Sequence, residues 1–168
     1  ILTIDNASTA LLEELVTINN VSIGTVVLGT NTIAENYSGS AANLESAFAG
    51  IANGTHQGTI EATDATTVAQ ANKFDAVSDG IVTATIDSTA ENLANLTGTT
   101  GAYAITLTTD TAAATIAELK AINAATTGAI TLNALTIAED YSDTAAKLAA
   151  AFAGITAGTH TGILTIDN

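Results

Sequence analysis

The sequence repeats itself, and this restricts the chain to folds that are built from stacked copies of one unit. A shift of 104 residues places residues 32–58 on residues 136–162, with 18 of the 27 positions identical. Residues 1–64 and 105–168 are therefore two copies of one block. A shift of 48 residues places residues 67–82 on 115–130 without a gap. We therefore interpret residues 65–104 as divergent units of the same kind, because self-similarity at such periods is the signature of repeat architectures.

Each unit has a stretch with apolar residues at every second position, followed by a stretch with apolar residues at every third or fourth. The first pattern is typical of a strand and the second of a helix. The helical stripes include Leu12/Leu15/Ile18 in the first copy and Ile116/Leu119/Ile122 in the second. The patterns predict seven strands with six helices between them, the strands at residues 2–4, 26–28, 59–63, 82–86, 104–108, 129–132 and 163–166. Capping-box spacing predicts helix starts at Thr67/Gln70, Ser88/Glu91 and Thr115/Glu118.

Strands that are joined by single helices run parallel, and right-handed crossovers place every helix on the same side. We therefore expect an α/β fold: a right-handed solenoid of strand–helix coils, like a leucine-rich-repeat stack, with a parallel sheet on one side and the helices on the other. Residues 1–168 are expected to form a single solenoid domain. The first six residues, ILTIDN, recur as the last six, so similar strands are expected at both ends.

Charge and composition exclude several functions. The net charge is −14, from 17 acidic and three basic residues, which opposes binding to nucleic acid or to an anionic membrane surface. The chain has no cysteine, so it has no disulfide and no thiolate metal site. It starts at Ile1 and has neither a signal-peptide pattern nor an apolar run of membrane-spanning length, so we expect an excised or processed piece and no membrane insertion.

Segments such as TVAQANKFDAVSDGIVTATI, STAENLANLTGT and YSDTAAKLAAAF resemble the Thr/Ala-rich tandem repeats of very large bacterial surface and secreted proteins, notably cyanobacterial ones. The resemblance covers essentially the whole chain. It implies an extracellular or cell-surface structural role in extension or adhesion arrays, and it implies no catalytic residues. The glycine-rich calcium-binding nonapeptide that often accompanies such repeats is missing here, so calcium-driven folding of that kind is not expected.

Few residues are candidates for chemistry. His56 and His160 occupy equivalent GTHxG turns, where a structural role is expected and pH sensing or a lattice contact is the alternative. The acidic segments at residues 35–38 and 139–142 are expected to be solvated loops, with weak calcium binding as the alternative. No triad or phosphate loop is recognisable, so we expect no enzyme and no cofactor.

Strand alternation turns threonines to the outer face of the predicted sheet. This face either reflects the β-propensity of threonine or serves as a contact surface for another sheet, a polysaccharide or ordered water. The two functional hypotheses are a structural module and a binding module. The module would continue into neighbouring repeats or stack head to tail through its terminal strands, and the binding module would take glycan, calcium or ice. The face comprises Thr3, Thr83, Thr85, Thr106, Thr131 and Thr165.

Overall fold

The computed structural model describes residues 1–5, 8–98, 101–108 and 111–167. The described part holds nine strands: β1 (Leu2–Thr3), β2 (Val26–Val27), β3 (Tyr37–Gly39), β4 (Ile60–Ala65), β5 (Val82–Ser88), β6 (Gly101–Leu107), β7 (Ile130–Thr131), β8 (Tyr141–Asp143) and β9 (Leu164–Ile166). Its eight helices are α1 (Leu12–Val21), α2 (Thr30–Ile33), α3 (Ala41–Phe48), α4 (Val68–Val77), α5 (Ala90–Leu93), α6 (Ile116–Ala125), α7 (Ala134–Ala138) and α8 (Ala145–Phe152).

All paired strands run parallel, which confirms the predicted α/β class with parallel sheets. The central sheet has the order β3-β4-β5-β6-β7, and β1-β2 and β8-β9 form separate pairs. Single bridges from Val26 to Ile51 and from Ile130 to Ile155 extend β2 and β7. The nine strands therefore lie in three sheets.

The prediction of seven strands and six helices was wrong: β3 and β8 begin within residues 35–38 and 139–142, which were expected to be loops, and α2 and α7 were not predicted. Tyr37 and Tyr141 hold these strands in the core. The Tyr37 hydroxyl donates a 2.7 Å hydrogen bond to the carbonyl of Ala10, and the Tyr141 hydroxyl bonds Ala114 in the same way. Each of these strands holds one aromatic residue followed by small or polar ones, so no alternation of apolar residues marks it. Their extended shape comes from pairing with β4 and β9, which lie about 20 residues further along the chain.

Register partners in neighbouring strands are separated by 19 to 25 residues along the chain. We call each stretch from a strand residue to its register partner a layer. Backbone hydrogen bonds outside the strands join residues at a similar spacing; for example, His56 N–H donates to Val77, and Thr127 N–H donates to Gly101. Consecutive layers therefore contact each other along their length.

Two of the three predicted capping boxes are confirmed. Thr67 and Gln70 start α4, and Thr115 and Glu118 start α6. The box at Ser88 was wrong by one residue, because Ser88 still pairs with Leu107 in the sheet and Thr89 is the residue that caps α5. Strand β5 therefore ends two residues beyond the predicted strand at residues 82–86.

Asparagine side chains join neighbouring helices at their ends. Asn19 on α1 donates to the carbonyl of Ala47 and accepts from the N–H of Gly50, and Asn123 on α6 bonds Ala151 and Gly154 in the same way. Each amide satisfies backbone groups at a helix C-terminus that the helix itself leaves unpaired. The core is mainly aliphatic and aromatic, with Leu15, Leu44, Phe74, Tyr103 and Ile122 fully buried.

Candidate functional site

The side-chain cluster with the most specific contacts surrounds His56. It lies between the turn that ends one layer and the turn that ends the next. His56 is fully buried and packs against the rings of Tyr37 and Phe48, with ring centroids 5.5 and 5.2 Å away. Its Nδ1 lies 2.9 Å from the Ser78 hydroxyl, and its Nε2 lies 2.9 Å from the carbonyl oxygen of Glu35. Three separate segments therefore converge on one imidazole ring.

The environment of His56 favours the neutral imidazole. Burial lowers its pKa below the ordinary value, while the hydrogen bond to the Glu35 carbonyl acts in the opposite direction. Nε2 faces a carbonyl acceptor and therefore carries a proton. The Ser78 hydroxyl lies 2.9 Å from Nδ1 and 3.0 Å from the carbonyl of Gly58, and its single proton is shared between these two acceptors. His56 thus serves as a packing and bonding residue within the described part of the chain.

We call the contact between residues 54–60 and residues 76–82 the His56 interface. Besides the imidazole contacts it contains four backbone hydrogen bonds: Gly54 to Ala76, His56 to Val77, Asp79 to His56 and Ile60 to Ile81, at 2.8 to 3.0 Å. Gly80 packs directly against residues 54–60. A Cβ on Gly80 would stand 2.1 Å from the carbonyl oxygen of Gly58. The two layers are therefore in full contact, with no space for a side chain at this glycine.

The second copy of the block has the same cluster around His160, but no following layer of the described chain covers it as residues 76–82 cover His56. Tyr141 and Phe152 pack on His160 with centroid distances of 5.5 and 4.9 Å, and His160 Nε2 bonds the carbonyl of Glu139 at 3.0 Å. Phe152 and His160 are partly exposed. Leu164 is 45% exposed, whereas Ile60, its counterpart in the first copy, is fully buried. We call the surface formed by Phe152, Ile155, His160, Gly162 and Leu164 the C-terminal face; it lines a groove of about 360 Å³.

The opposite end of the molecule carries the other half of the same contact. Combining the shifts of 104 and 48 residues aligns residues 11–26 with 67–82, so that the VSIGTV segment at 21–26 matches VSDGIV at 77–82. Helices α1 and α4 have the same length, and Ser22 and Ser78 are the equivalent residues that end them. We call the surface formed by Val21, Ser22, Ile23, Gly24 and Thr25 the N-terminal face.

The N-terminal face is uncovered in the described chain. Val21 is 79% exposed, and Ile23 is fully exposed. The Ser22 hydroxyl bonds only within its own turn, to the backbone of Gly24 at 3.3 Å. The Ser78 hydroxyl also bonds the carbonyl of Gly58 in the preceding layer. A Cβ on Gly24 would meet only the backbone nitrogen of Ile1, at an ordinary 3.6 Å. The two ends therefore present the two halves of an interface that is complete in the middle of the chain.

The six threonines of the predicted contact face are all exposed, but the structure divides them among three sheets. Thr106 stands beside Thr131, and Thr83 and Thr85 share strand β5. The cross-strand partners of Thr83 are Glu61 and Ala102, and Thr106 has Asp87 on its other side. Thr3 and Thr165 belong to the terminal pairs β1-β2 and β8-β9. The face is a mixed surface rather than a continuous threonine row.

The acidic segments use their polar groups for structure. The Asn36 side chain accepts from the N–H of Thr59, and Asp140 accepts from the N–H of Ile163. Asp143 pairs with Lys147 at 2.9 Å, and this ion pair lowers the pKa of the Asp143 carboxyl. Within residues 1–5, 8–98, 101–108 and 111–167, no group of three His, Cys, Asp or Glu residues is placed to hold a metal ion. In the same part of the chain, no helix is both long and apolar enough to cross a membrane.

Sequence reasoning missed both end faces. The available signal was the match between residues 21–26 and 77–82, combined with the repeated GTHxG turn. No family model, curated protein or solved structure matches this chain.

Proposed function

We propose that the chain is a structural repeat module of an extracellular or cell-surface protein, and that its layers are the coils of a right-handed solenoid. The observation that carries this proposal is the pair of end faces, because each is a copy of a surface that is buried between layers inside the chain. A repeat array gains stability when each coil is buried by its neighbours. The module would therefore extend an array, either within a longer chain or by stacking end to end.

The distribution of charge supports stacking. The net charge is −14, yet residues 16–28 and 152–164, which include the two end faces, contain no Asp, Glu, Lys or Arg. Contact between these two stretches therefore desolvates no side-chain carboxylate, and burying unpaired charges would cost several kcal/mol. The acidic residues lie elsewhere, where they keep the particle soluble.

The alternative of a binding module has weaker support. Ala102, Glu61 and Asp87 interrupt the threonine surface, and in the acidic segments the side-chain oxygens of Asn36 and Asp140 accept from backbone N–H groups. We also propose that the chain is not an enzyme. His56 is held by packing contacts and by its bond to the Glu35 carbonyl, and His160 makes the equivalent bond to the Glu139 carbonyl.

A covalent two-block chain tests the proposal. The recurrence of ILTIDN permits a fusion in which residues 163–168 of one block also serve as residues 1–6 of the next, so that no foreign linker is needed. Because the junction covers the C-terminal face, we expect one cooperative unfolding transition, with a higher midpoint in urea and a nearly doubled m-value. Two blocks that unfold independently, at the midpoint of the single chain, would contradict a stacking scaffold.

A further inference from the structure

We propose that separate copies of this chain associate head to tail, with the C-terminal face of one copy docking on the N-terminal face of the next in the register of the His56 interface. This inference rests on the proposed scaffold function and deepens it by naming the partner and the contacts. The partner is a second copy because both halves of the interface are exposed on the same molecule, at opposite ends.

The internal interface specifies the contacts between copies. In that register, Ser22 of the second copy takes the place of Ser78 and meets Nδ1 of His160 and the carbonyl of Gly162. The N–H of His160 donates to Val21, and the N–H of Ile23 donates to His160, as His56, Val77 and Asp79 do inside the chain. Phe152 and Leu164 become covered, as Phe48 and Ile60 are.

One element already occupies part of this position. The N–H of Leu2 donates to Thr25, which is the bond that Ile60 makes to Ile81 in the internal interface. Strand β1 of the second copy therefore stands where β9 of the first copy must lie. Both strands belong to identical ILTIDN segments, so β9 can replace β1 with Leu164 for Leu2, Thr165 for Thr3 and Ile166 for Ile4.

Displacement of β1 by β9 of another copy exposes little additional apolar surface. Strand β1 is two residues long, Ile1 is almost fully exposed and Leu2 is 42% exposed. The N–H groups of Leu2 and Ile4 donate to the carbonyls of Thr25 and Val27 on the β2 side, and β9 offers the same donors. The gain is the burial of the two uncharged end faces. Identical strands that exchange between copies are a low-cost route to assembly.

Gly24 provides a variant that separates docking from folding. A Cβ on Gly24 has space within one chain, but at the corresponding place in the internal interface a Cβ on Gly80 stands 2.1 Å from the carbonyl of Gly58. Gly24→Ala is therefore expected to leave the fold of the single chain intact, as seen by circular dichroism and urea unfolding. It is expected to block docking on the Gly162 carbonyl of another copy.

The chain has no cysteine, so single cysteines can report the direction of docking. Ile23 and Thr161 occupy the positions of Asp79 and Gln57, which flank the bridge between His56 and Ser78. We expect Ile23→Cys chains mixed with Thr161→Cys chains to form disulfide-linked heterodimers under mild oxidation, in at least tenfold excess over the homodimers of either variant. Adding Gly24→Ala to the Ile23→Cys chain should remove the heterodimer, and deleting residues 1–5 from that chain should increase its yield.

Three results would overturn the inference. The heterodimer could be no more abundant than the homodimers, Gly24→Ala could fail to reduce the amount of heterodimer, or the heterodimer yield could fall when residues 1–5 are removed. The two-block fusion distinguishes its failure from that of the scaffold. If the fusion unfolds as one stabilised unit while the mixed chains stay uncoupled, the faces join only within one chain. If both experiments fail, the end faces do not dock at all.

Discussion

Alanine at Gly80 and alanine at Gly24 change the same repeat position, once under a covering layer and once at an open end. At Gly80 the new Cβ would stand 2.1 Å from the Gly58 oxygen and 2.7 Å from the Gln57 oxygen, well inside the ~3.5 Å at which nonbonded heavy atoms normally meet. The two layers must therefore separate by about 1 Å. This stretches the bonds from Ile60 to Ile81 and from Asp79 to His56, together with the Ser78 bond to Gly58.

The two backbone hydrogen bonds contribute about 1 kcal/mol net each, and the shared Ser78 bond contributes at most about the same. Alanine offsets roughly 0.4–1 kcal/mol of the loss, because it restricts the unfolded chain more than glycine does. We therefore expect Gly80→Ala to lower the free energy of unfolding by about 1–3 kcal/mol. Gly24→Ala, whose nearest neighbour is Ile1 nitrogen at 3.6 Å, should be neutral or slightly stabilising.

Urea unfolding followed by circular dichroism measures both changes, at a protein concentration where light scattering reports monomer. Equal m-values for the two variants and the parent chain would ensure that midpoints can be compared. Equal destabilisation of the two variants would refute the reasoning, and so would a Gly80→Ala chain as stable as the parent. Either result would mean that the layers do not contact each other as described.

Three further predictions use the same comparison between covered and open positions. Ser78→Ala removes a hydroxyl that bonds His56 and Gly58 and should cost about 1–3 kcal/mol of unfolding free energy, whereas Ser22→Ala should change it by less than about 0.5 kcal/mol, both measured in urea. Phe48→Ala should cost about 3–5 kcal/mol and Phe152→Ala clearly less in the same assay, because only Phe48 is fully enclosed. Burial lowers the pKa of His56 in the folded state, so stability that is present above about pH 6.5 should decrease as the pH falls below that value, by at most ~1.4 kcal/mol per pH unit for one proton. His56→Gln should remove this component between pH 7 and pH 5, and a slope that is unchanged in the variant would assign it to other groups.

The sequence was sufficient to predict the layered character of the fold, because strand and helix periods recur in each unit. The stripes Leu12/Leu15/Ile18 and Ile116/Leu119/Ile122 lie on α1 and α6, and the boxes at Thr67 and Thr115 start the helices they were expected to start. These features depend on neighbours within four residues, which sequence patterns describe well.

Features that depend on distant partners were not predictable from local pattern. Strands β3 and β8 are extended because they pair with β4 and β9, and Tyr37 and Tyr141 anchor them to the carbonyls of Ala10 and Ala114, 27 residues earlier in the chain. The end of β5 at Ser88 depends on its pairing with Leu107. The end faces could be recognised only after the His56 interface was known, because the VSxGxV match has meaning once Ser78 is seen against His56.

Amide hydrogen exchange, resolved by NMR, tests the central claim that the end faces are open copies of an internal interface. In the covered copy, the N–H groups of His56 and Ile60 donate to Val77 and Ile81. In dilute protein they should exchange much more slowly than the corresponding N–H groups of His160 and Leu164, and the second pair should become protected at high concentration or in the two-block fusion. His160 and Leu164 amides that are already as protected as those of His56 and Ile60 in the dilute monomer would contradict the account, and so would amides that stay unprotected in the fusion.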